Sequence, residues 1–294
     1  HSLVQSHRRR ALGFAHVLDT HPHADRVAQS KAQADQHLRQ RTDLHLLALA
    51  EGDFDGDAGL GLRDTDALWL TFMALGIGPG DECITTTNTF FATAEAIWIA
   101  GATAVFVDCC PKTKCICPDK IEAAITPRTK AIMPVHLYGL SCDMDPILAV
   151  ARKHKLRVIE DAAQAIGSSW KGKPIGSFGD FVSFSFQANK NITTSEGGCL
   201  VLNNSEEATL AEKYRLQGVT RSGWDGIEVD VLGGKYNMTD VAAAIGLGQF
   251  ANIEQITAHR QALARHYFEC FGSDFETTYG AQLPPADFEN SNWH

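Results

Sequence analysis

The sequence predicts an α/β fold in which helices cover both faces of a mostly parallel sheet. Between residues 67 and 202, segments with helical periodicity alternate with short apolar segments. Such alternation is typical of parallel strands joined by crossover helices. The chain has 294 residues, 44% of them hydrophobic, which is enough to bury a full core. Its length favours one large domain and part of another.

Each predicted element follows from its own pattern. Helical segments repeat apolar residues every three or four positions, whereas strand segments are short, apolar and rich in β-branched or aromatic residues. In chain order these are helix 67–75, strand 82–86, helix 92–100, strand 103–107, helix 118–124, strand 130–135, helix 146–154, strand 156–160, strand 181–186 and strand 199–202. From residue 239 onward, one helical pattern is long enough to bridge two domains.

Three glycines, Gly76, Gly78 and Gly80, follow the first predicted helix and precede strand 82–86. A dinucleotide-binding fingerprint needs a strand, then glycines, then a helix. The glycines therefore indicate the end of a helix and a turn, and a nicotinamide-dependent enzyme is disfavoured.

Lys190 is the most informative residue, in the stretch FVSFSFQANKNITTSEGGCLVL. It follows strand 181–186 in a polar loop that ends in paired glycines before strand 199–202. The lysine therefore lies at the carboxyl end of a strand, where α/β sheets bind ligands. Lysines desolvated at such edges can bind a carbonyl cofactor as an imine and carry protons. A solvated loop lysine is the alternative.

Asp161 follows a second predicted strand, 156–160, in the stretch HKLRVIEDAAQAIG. A carboxylate at this edge could pair with the protonated ring nitrogen that pyridoxal phosphate needs as an electron sink. Asp is also favoured at the start of a helical turn, so capping is the alternative role. Together, an acid and a lysine at two strand ends favour a cofactor site.

A series of longer strings occurs in order between residues 65 and 255: TDAL, ALGIGPGDE, TFFATAEAI, GATAVFVD, ITPRTKAIMPVHLYG, VIEDAAQAIG, GSFGDFVSFSF, KNITTSEGG and KYNMTDVAAAIGLGQ. In these strings the chain resembles the DegT/StrS family of nucleotide-sugar aminotransferases. The KNIT-x-x-EGG and KYNMTD strings are most similar to the branch that includes the 4-amino-4-deoxy-L-arabinose aminotransferase. The resemblance implies a fold-type-I pyridoxal-phosphate-dependent transferase with a truncated small C-terminal domain.

The resemblance also implies roles around the cofactor ring. Lys190 would bind the cofactor aldehyde, and Asp161 would hold the pyridine nitrogen. Gln164 matches the position that contacts the phenolic oxygen, although by itself it is an ordinary polar turn residue. Phe90 falls where the family places an aromatic side chain against the ring, since stacking orients a flat ring at little entropic cost. Without the resemblance, Phe90 would be a core residue.

Four residues would bind the cofactor phosphate. Thr65 and Asp66 open the first predicted helix, so their amides lie at a helix N-terminus, where an anion is favoured; a helix cap is the alternative for Thr65. Ser185 lies at the same sheet edge as Lys190. In the family, Asn237 would reach across a homodimer interface to the partner's cofactor phosphate; polarity ahead of a helix is the alternative.

The chain departs from the family pattern in two ways. Where the family has Ser-Gly-Thr or Asn-Gly-Thr, this chain has Arg63-Asp64-Thr65, and the carboxylate of Asp64 would oppose a phosphate. Residues 1–60 match no family string and form an atypical N-terminal segment. We expect a large cofactor-binding domain at 61–255, followed at 256–294 by a linker helix and the start of a truncated small domain.

Composition excludes several other classes. The net charge of −9 argues against a nucleic-acid-binding protein, which normally presents a basic face. The longest apolar stretch, 96–107, is too short to cross a bilayer, and the N-terminus makes no convincing signal peptide. We therefore expect a cytoplasmic protein with no membrane partner.

Eight cysteines raise the question of a metal site. Cys109, Cys110, Cys115 and Cys117 lie close together, but their spacing is not that of paired C-x-x-C zinc sites. Free cytosolic thiols are the expectation, with no metal.

The predicted reaction moves an amino group from glutamate to the keto group of a nucleotide-linked deoxy sugar, leaving 2-oxoglutarate. The alternative is an inactive or truncated paralogue that acts as a dimerisation or regulatory partner. A pyridoxal-dependent sugar dehydratase is disfavoured, since those relatives carry histidine in place of Lys190. The sequence does not indicate which nucleotide or sugar is used, or whether C3 or C4 is aminated.

Overall fold

The computed structural model describes residues 45–47, 64–222, 226–272 and 274–294. The helices there are α1 Asp64–Leu75, α2 Phe91–Ile99, α3 Pro118–Ile121, α4 Met144–His154, α5 Ser205–Arg215, α6 Asp240–Phe250, α7 Ile253–Phe271 and α8 Phe275–Tyr279. The strands are β1 His45–Leu47, β2 Glu82–Thr86, β3 Thr103–Val107, β4 Thr129–Met133, β5 Arg157–Asp161, β6 Ser169–Trp170, β7 Lys173–Pro174, β8 Phe181–Ser185, β9 Gly198–Leu202, β10 Val219–Ser222 and β11 Gly226–Val229. Short 3₁₀ turns occur at Glu122–Ala124 and Leu137–Gly139.

A seven-stranded sheet in the order β1-β9-β8-β5-β4-β2-β3 forms the centre of the fold. Strands β8, β5, β4, β2 and β3 run parallel. Strand β9 is antiparallel to β8, and β1 is antiparallel to β9. The predicted α/β architecture with a mostly parallel sheet is therefore confirmed. Two small antiparallel hairpins, β6–β7 and β10–β11, lie outside this sheet.

Helices cover both faces of the sheet. On one face, Phe72 of α1 and Ile97 of α2 belong to the same buried cluster as Ile159 of β5. On the other face, Ile147 of α4 is buried with Val158 of β5. This burial on both sides explains why every residue of β2 and of β8 is buried.

The alternation along β5 decides which way its last residues point. Val158 and Ile159 belong to the clusters on opposite faces. Because successive side chains of a strand alternate, Asp161 shares the face of Ile159, on the side of α1 and α2. Glu160 points to the opposite face, on the side of α3 and α4.

The predicted and observed elements agree closely. Strands β2 and β3 have the predicted bounds, and the other predicted strands differ by one or two residues at an end. Predicted helix 118–124 is instead the short helix α3 followed by a 3₁₀ turn. Helix α5 was not predicted, although the side chain of Asn204 caps it by accepting from the N–H groups of Glu206 and Glu207 at 2.9 and 3.0 Å.

The single long helix predicted after residue 239 is wrong. Helices α6 and α7 are separate, and Asn252 between them has a non-helical backbone (φ −111°, ψ 10°). Its side-chain Nδ2 donates to the carbonyl of Gly248 at 2.9 Å. Asn competes with helical hydrogen bonding in this way, which accounts for the break.

The predicted N-terminal segment 1–60 lies outside the described residues, apart from His45–Leu47, which form β1. The predicted boundary between 255 and 256 falls inside α7, and the domain division stays a prediction. In the described part of the chain, no helix combines the length and the apolar character that crossing a bilayer requires.

Candidate active site

The segments that leave β2, β4, β5 and β8 meet at one edge of the sheet, because parallel strands share the edge at which they end. Asp161 is the last residue of β5, and Ser185 is the last residue of the neighbouring strand β8. Lys190 follows in the loop before β9. The two strand ends singled out in the sequence therefore lie side by side.

Asp161 is a buried carboxylate, 6% exposed, with hydrogen-bond donors at both oxygens. The hydroxyl of Thr93 donates to Oδ2 at 2.7 Å. The backbone N–H of Ala163 donates to Oδ1 at 3.2 Å, which is the turn-capping role considered as the alternative. Donors at both oxygens favour the charged carboxylate over the protonated acid. Asp161 therefore caps its turn and still presents a negative charge at the sheet edge.

Ser185 shares the sheet face of Asp161. Phe181 of β8 lies in the cluster under α1, so Ser183 and Ser185 point to the same side. Asp161 pairs with Ser183 in the β5–β8 register, which places Ser185 farther along toward the carboxyl edge. Ser185 is fully buried, and its Oγ accepts from the N–H of Gln187 at 3.3 Å. Its hydroxyl proton can be donated to an anion.

Lys190 lies in a closed turn and not in an extended loop. Its N–H donates to the carbonyl of Gln187 at 3.0 Å. The loop is tied back where Thr194 donates its N–H to the carbonyl of Phe186 at 3.0 Å. The lysine side chain is half-buried, so a fully solvated loop lysine does not describe it.

His294 lies next to this turn. Its Nδ1 is 3.1 Å from Oδ1 of Asn191, whose Nδ2 donates to the carbonyl of Asn292 at 3.2 Å. Burial, then the charges of Lys190 and Arg260, lower the pKa of His294 to about 4. The imidazole is therefore neutral near pH 7 and lies within the electrostatic reach of Lys190.

Gln164 follows β5 in the turn after Asp161. Its Oε1 accepts from the backbone N–H of Tyr138 at 2.6 Å. Because a backbone N–H can only donate, this contact assigns the oxygen of the amide. The Nε2 group of Gln164 is thereby oriented away from Tyr138 as a donor. The backbone carbonyl of Gln164 accepts from Nδ2 of Asn292 at 2.9 Å.

The turn that carries Tyr138 has an uncommon backbone. Tyr138 and Gly139 both have positive φ, 55° and 80°. A Cβ built on Gly139 would lie 1.7 Å from Oδ1 of Asn292, so this position requires glycine. Asn292 is fully buried, and its Nδ2 also donates to the carbonyl of Ile166 at 2.7 Å. Hydrogen bonds therefore hold the chain near residue 292 against the turn that carries Gln164.

Phe90 lies at the same edge, directly before α2. It is 62% exposed, so the alternative that made it a core residue is wrong. Its ring lies 4.4 Å from that of Phe91, centroid to centroid. An exposed aromatic side chain at a ligand edge is available for stacking.

The predicted phosphate-binding residues Thr65 and Asp66 lie in the first turn of α1, which begins at Asp64. Thr65 is therefore inside the helix and is not its cap. Nearby, Trp69 contacts the ring of Tyr236 edge-on at 5.5 Å. Burial, and then the charge of Asp66, raise the pKa of Tyr236. The start of α1 therefore lies close to the segment that carries residue 237.

Asn237 is half-buried in this segment, ahead of α6. Its Oδ1 is buried without a hydrogen-bond partner among the described residues. A buried amide oxygen without a partner is costly, which indicates that something else satisfies it. Polarity ahead of a helix does not explain a buried atom. The neighbouring Thr239, whose side chain accepts from the N–H of Ala242, performs the capping role.

On the opposite face of the sheet, His136 and Glu160 form a fully buried pair. The N–H of Cys142 donates to Nδ1 of His136 at 3.1 Å, so the ring proton must be on Nε2. Nε2 donates to Glu160 at 2.7 Å, and the N–H of Gly179 also donates to Glu160. This closed network connects the ends of β4 and β5 on the face of the sheet that α3 and α4 cover.

Of the four clustered cysteines, Cys115 is buried, and the other three are partly exposed. A hydrogen bond with Cys142 lowers the pKa of Cys115 to about 7. All eight cysteines are free thiols. Among the described residues, no group of three or more His, Cys, Asp or Glu side chains is placed to hold a metal ion.

Sequence reasoning missed the residues that hold the predicted site residues in place: Thr89, Thr93, Tyr138, Asn191, Asn292 and His294. For Thr89, Thr93, Tyr138 and Asn191, the available signal was their position inside the strings already singled out. Thr89 and Thr93 belong to TFFATAEAI, and their spacing of four places them on one side of a first helical turn. No local pattern connects Asn292 with Gln164, because the contact spans most of the domain.

Comparison with known proteins places these features in context. Residues 64–294 match the model of the DegT/DnrJ/EryC1/StrS aminotransferase family. The chain is 48% identical over 205 residues to GDP-perosamine synthase of Caulobacter vibrioides, covering 69% of this chain and 54% of that protein. It is 47% identical over 206 residues to the UDP-N-acetyl-3-dehydro-alpha-D-glucosamine 3-aminotransferase of Acidithiobacillus ferrooxidans, covering 70% and 55%. The chain thus spans about half the length of these curated relatives.

A solved structure shows the same fold. The PLP-form of Spr1654 from Streptococcus pneumoniae is 30% identical, with a TM-score of 0.71, and the alignment covers 83% of this chain and 64% of that one. The same protein is also known in an apo-form and a PMP-form.

Proposed function

Since the chain belongs to the DegT/DnrJ/EryC1/StrS aminotransferase family, we propose that it is a pyridoxal-phosphate-dependent aminotransferase. Its amino donor is glutamate, and its acceptor is the keto group of a nucleotide-linked deoxy sugar. The observation that carries the proposal is the pair of strand ends at one sheet edge: the charged, buried Asp161 of β5 lies beside the β8 end that leads to Lys190.

The donors and acceptors at this edge fit that cofactor. Asp161 supplies a negative charge for a protonated ring nitrogen. Gln164 presents its Nε2 as a donor for a phenolic oxygen, since its oxygen is already occupied by Tyr138. Ser185 has a hydroxyl proton for the phosphate, and Phe90 exposes an aromatic face. The set therefore contains a partner for each polar part of the cofactor.

Bound at this edge, pyridoxal phosphate supplies an electron sink for the charge that develops when an amino-acid α-proton is lost. Asp161 keeps the proton on the ring nitrogen by remaining a carboxylate. Lys190 would provide the amine that holds the cofactor aldehyde, and its Nζ would hold and move the α-proton.

The phosphate end of the site is less well matched. Thr65 and Asp66 offer the backbone N–H groups of the first turn of α1, and the helix dipole favours an anion there. The carboxylate of Asp66 works against that preference. We therefore expect Ser185 and a contribution from Asn237 to be needed for tight binding.

The substrate class follows from the relatives. One similar protein is named for GDP-perosamine and another for a UDP-linked 3-keto sugar. Both names support a nucleotide-linked keto sugar as the acceptor, while the nucleotide and the aminated carbon differ between them. The similarity to the 4-amino-4-deoxy-L-arabinose branch stays a prediction.

A homodimer is part of the proposal. The resemblance assigns Asn237 to the partner's phosphate, and the buried, unpartnered Oδ1 supports an additional contact at this residue. The cytoplasmic location stays a prediction.

Replacement of Lys190 tests the function. Lys190→Ala is expected to abolish the visible absorbance of the lysine-bound cofactor. It should abolish transamination as well. Lys130→Ala, which removes an exposed lysine near the amino end of β4 and so at the opposite edge of the sheet, is the matched control and should change neither. Normal absorbance with retained turnover in Lys190→Ala would refute the proposal. A panel of UDP-, GDP- and dTDP-linked keto sugars with glutamate then identifies the acceptor.

A further inference from the structure

Thr93 is the buried residue of α2 that lies closest to the acid of the candidate site. It is 1% exposed, and its hydroxyl lies 2.7 Å from Oδ2 of Asp161. The two residues are 68 positions apart in sequence, so the contact depends on α2 packing over β5.

The direction of each hydrogen bond in this group follows from the number of protons. Asp161 as a carboxylate can only accept, so Thr93 donates its single hydroxyl proton to Oδ2. The hydroxyl of Thr89 lies 2.7 Å from that of Thr93 and must then be the donor to it. The result is a directed series from Thr89 to Thr93 to Asp161. A donor that itself accepts a hydrogen bond is polarised and binds a carboxylate more strongly.

The same helical turn carries the predicted stacking residue. The N–H of Thr93 donates to the carbonyl of Phe90 at 3.2 Å. The first turn of α2 therefore holds the aromatic side chain of Phe90 and the hydroxyl that binds Asp161 in one rigid unit. A ring that stacks on Phe90 and meets Asp161 would therefore have both contacts set by this one helical turn.

We propose that Thr93 is a positioning residue, which orients the Asp161 carboxylate and keeps it charged so that it can hold a proton on the ring nitrogen of the cofactor. The inference rests on the proposed function and deepens it. Thr93 acts through Asp161 and does not touch the cofactor. The backbone N–H of Ala163 donates to Asp161 and sets the turn, whereas the hydroxyl of Thr93 is a donor that a side-chain substitution can remove.

The test compares variants of Thr93 by the dissociation constant for pyridoxal phosphate and by the pH at which the absorbance of the bound cofactor changes. Thr93→Val keeps the shape but has no hydroxyl, and it is expected to weaken cofactor binding about tenfold and to shift that pH by about one unit. Thr93→Ser keeps the hydroxyl and should stay within about threefold of the wild type. Thr93→Ala is a second hydroxyl-free variant and should follow Thr93→Val.

Thr71→Val is the matched control. Thr71 is also fully buried, but its hydroxyl bonds only to the carbonyl of Ala67 in its own helix, at 2.9 Å. This variant should leave the cofactor affinity unchanged, and the absorbance of the bound cofactor should change at the same pH as in the wild type. Both results are expected even if the melting temperature of the cofactor-free protein falls. A purely structural role for Thr93 predicts the same behaviour for both threonines.

Two results would overturn the inference, and they differ from a failure of the proposed function. The first result is that Thr93→Val and Thr93→Ala bind the cofactor with wild-type affinity and change absorbance at the wild-type pH. Thr93 would then have no positioning role, and the aminotransferase proposal would stand. Thr93→Ser that behaves like Thr93→Ala would show that the hydroxyl is not the group that matters. Absence of cofactor binding by the wild-type chain, in contrast, would overturn the proposed function together with the inference.

Discussion

Single hydrogen bonds decide which atoms at the sheet edge remain for a ligand. The N–H of Tyr138 occupies the oxygen of Gln164, so the amide nitrogen is the group left to donate. The N–H of Gln187 occupies a lone pair of Ser185, so its proton is left. These assignments follow from the fact that a backbone N–H only donates. Residue types alone, which both donate and accept, do not contain this information.

His294 makes a testable contribution to the pH dependence of stability. Its pKa is lowered to about 4 by burial, Lys190 and Arg260, compared with about 6.5 in an unfolded chain. The unfolded state therefore binds the proton more readily, so stability is fully present above about pH 6.5 and declines as the pH falls toward 4. We expect His294→Gln to lessen the decline in melting temperature between pH 7 and 5.

The control for His294 is His259→Gln, which replaces an exposed histidine on α7. It should reproduce the wild-type dependence of melting temperature on pH. Equal slopes for the wild type and His294→Gln would mean that His294 is not held neutral by its surroundings.

At the scale of elements, the turn at Leu137–Gly139 and the segment around Asn292 depend on each other. Asn292 donates to the carbonyls of Gln164 and Ile166, and its N–H donates to Ser168 at 3.1 Å. These bonds fasten the turn after β5 to a segment far along the chain. The absence of a side chain at Gly139 makes the close approach sterically allowed.

Gly139→Ala tests this dependence. Alanine at a positive φ costs roughly 1–2 kcal/mol, and the clash with Asn292 should add about 1–3 kcal/mol. The free energy of unfolding, measured with urea, should fall by the sum of both. Gly172 has a similar φ of 75° with nothing near its Cβ position, so Gly172→Ala isolates the backbone cost. Equal losses for the two variants would contradict the packing argument.

At the scale of the whole molecule, large apolar side chains remain exposed in the described chain. Those in the segments that flank Asn237 along the chain are Ile227, Val229, Leu232 and Val241. Exposed apolar side chains of this size are typical of surfaces that bind another protein. They support the proposed homodimer, in which Asn237 would contribute to the neighbouring site. A contact within the same chain is the competing arrangement, because Tyr236 packs on α1.

Mixed dimers distinguish the two arrangements. If Asn237 serves the partner, a dimer of one Lys190→Ala chain and one Asn237→Ala chain contains one intact site. Random re-association of two inactive variants should then restore about a quarter of wild-type activity. Lys190→Ala mixed with Gln164→Ala is the control, since both residues belong to one chain's site and no intact site can form. No recovery in the first mixture would assign Asn237 to its own chain.

Much of the fold was predictable because it depends on local periodicity. Strands β2 and β3 were bounded correctly because each is a short segment rich in β-branched residues that follows a glycine-containing turn. Helix α5 was missed because its pattern is weak and its start depends on the Asn204 cap. The break at Asn252 was missed because a helical period does not reveal a side chain that bonds to its own backbone.

The sequence by itself determined which chemical groups lie at the strand ends. These are an acid at the end of β5, a serine at the end of β8 and a lysine in the loop that follows β8. Strand order brought them to one edge, since parallel strands all end on the same side. Only the tertiary structure decided what holds them there. The contacts of Thr93 with Asp161 and of Asn292 with Gln164 join residues 68 and 128 positions apart. Such contacts form when the layers pack, and no periodicity along the chain encodes them.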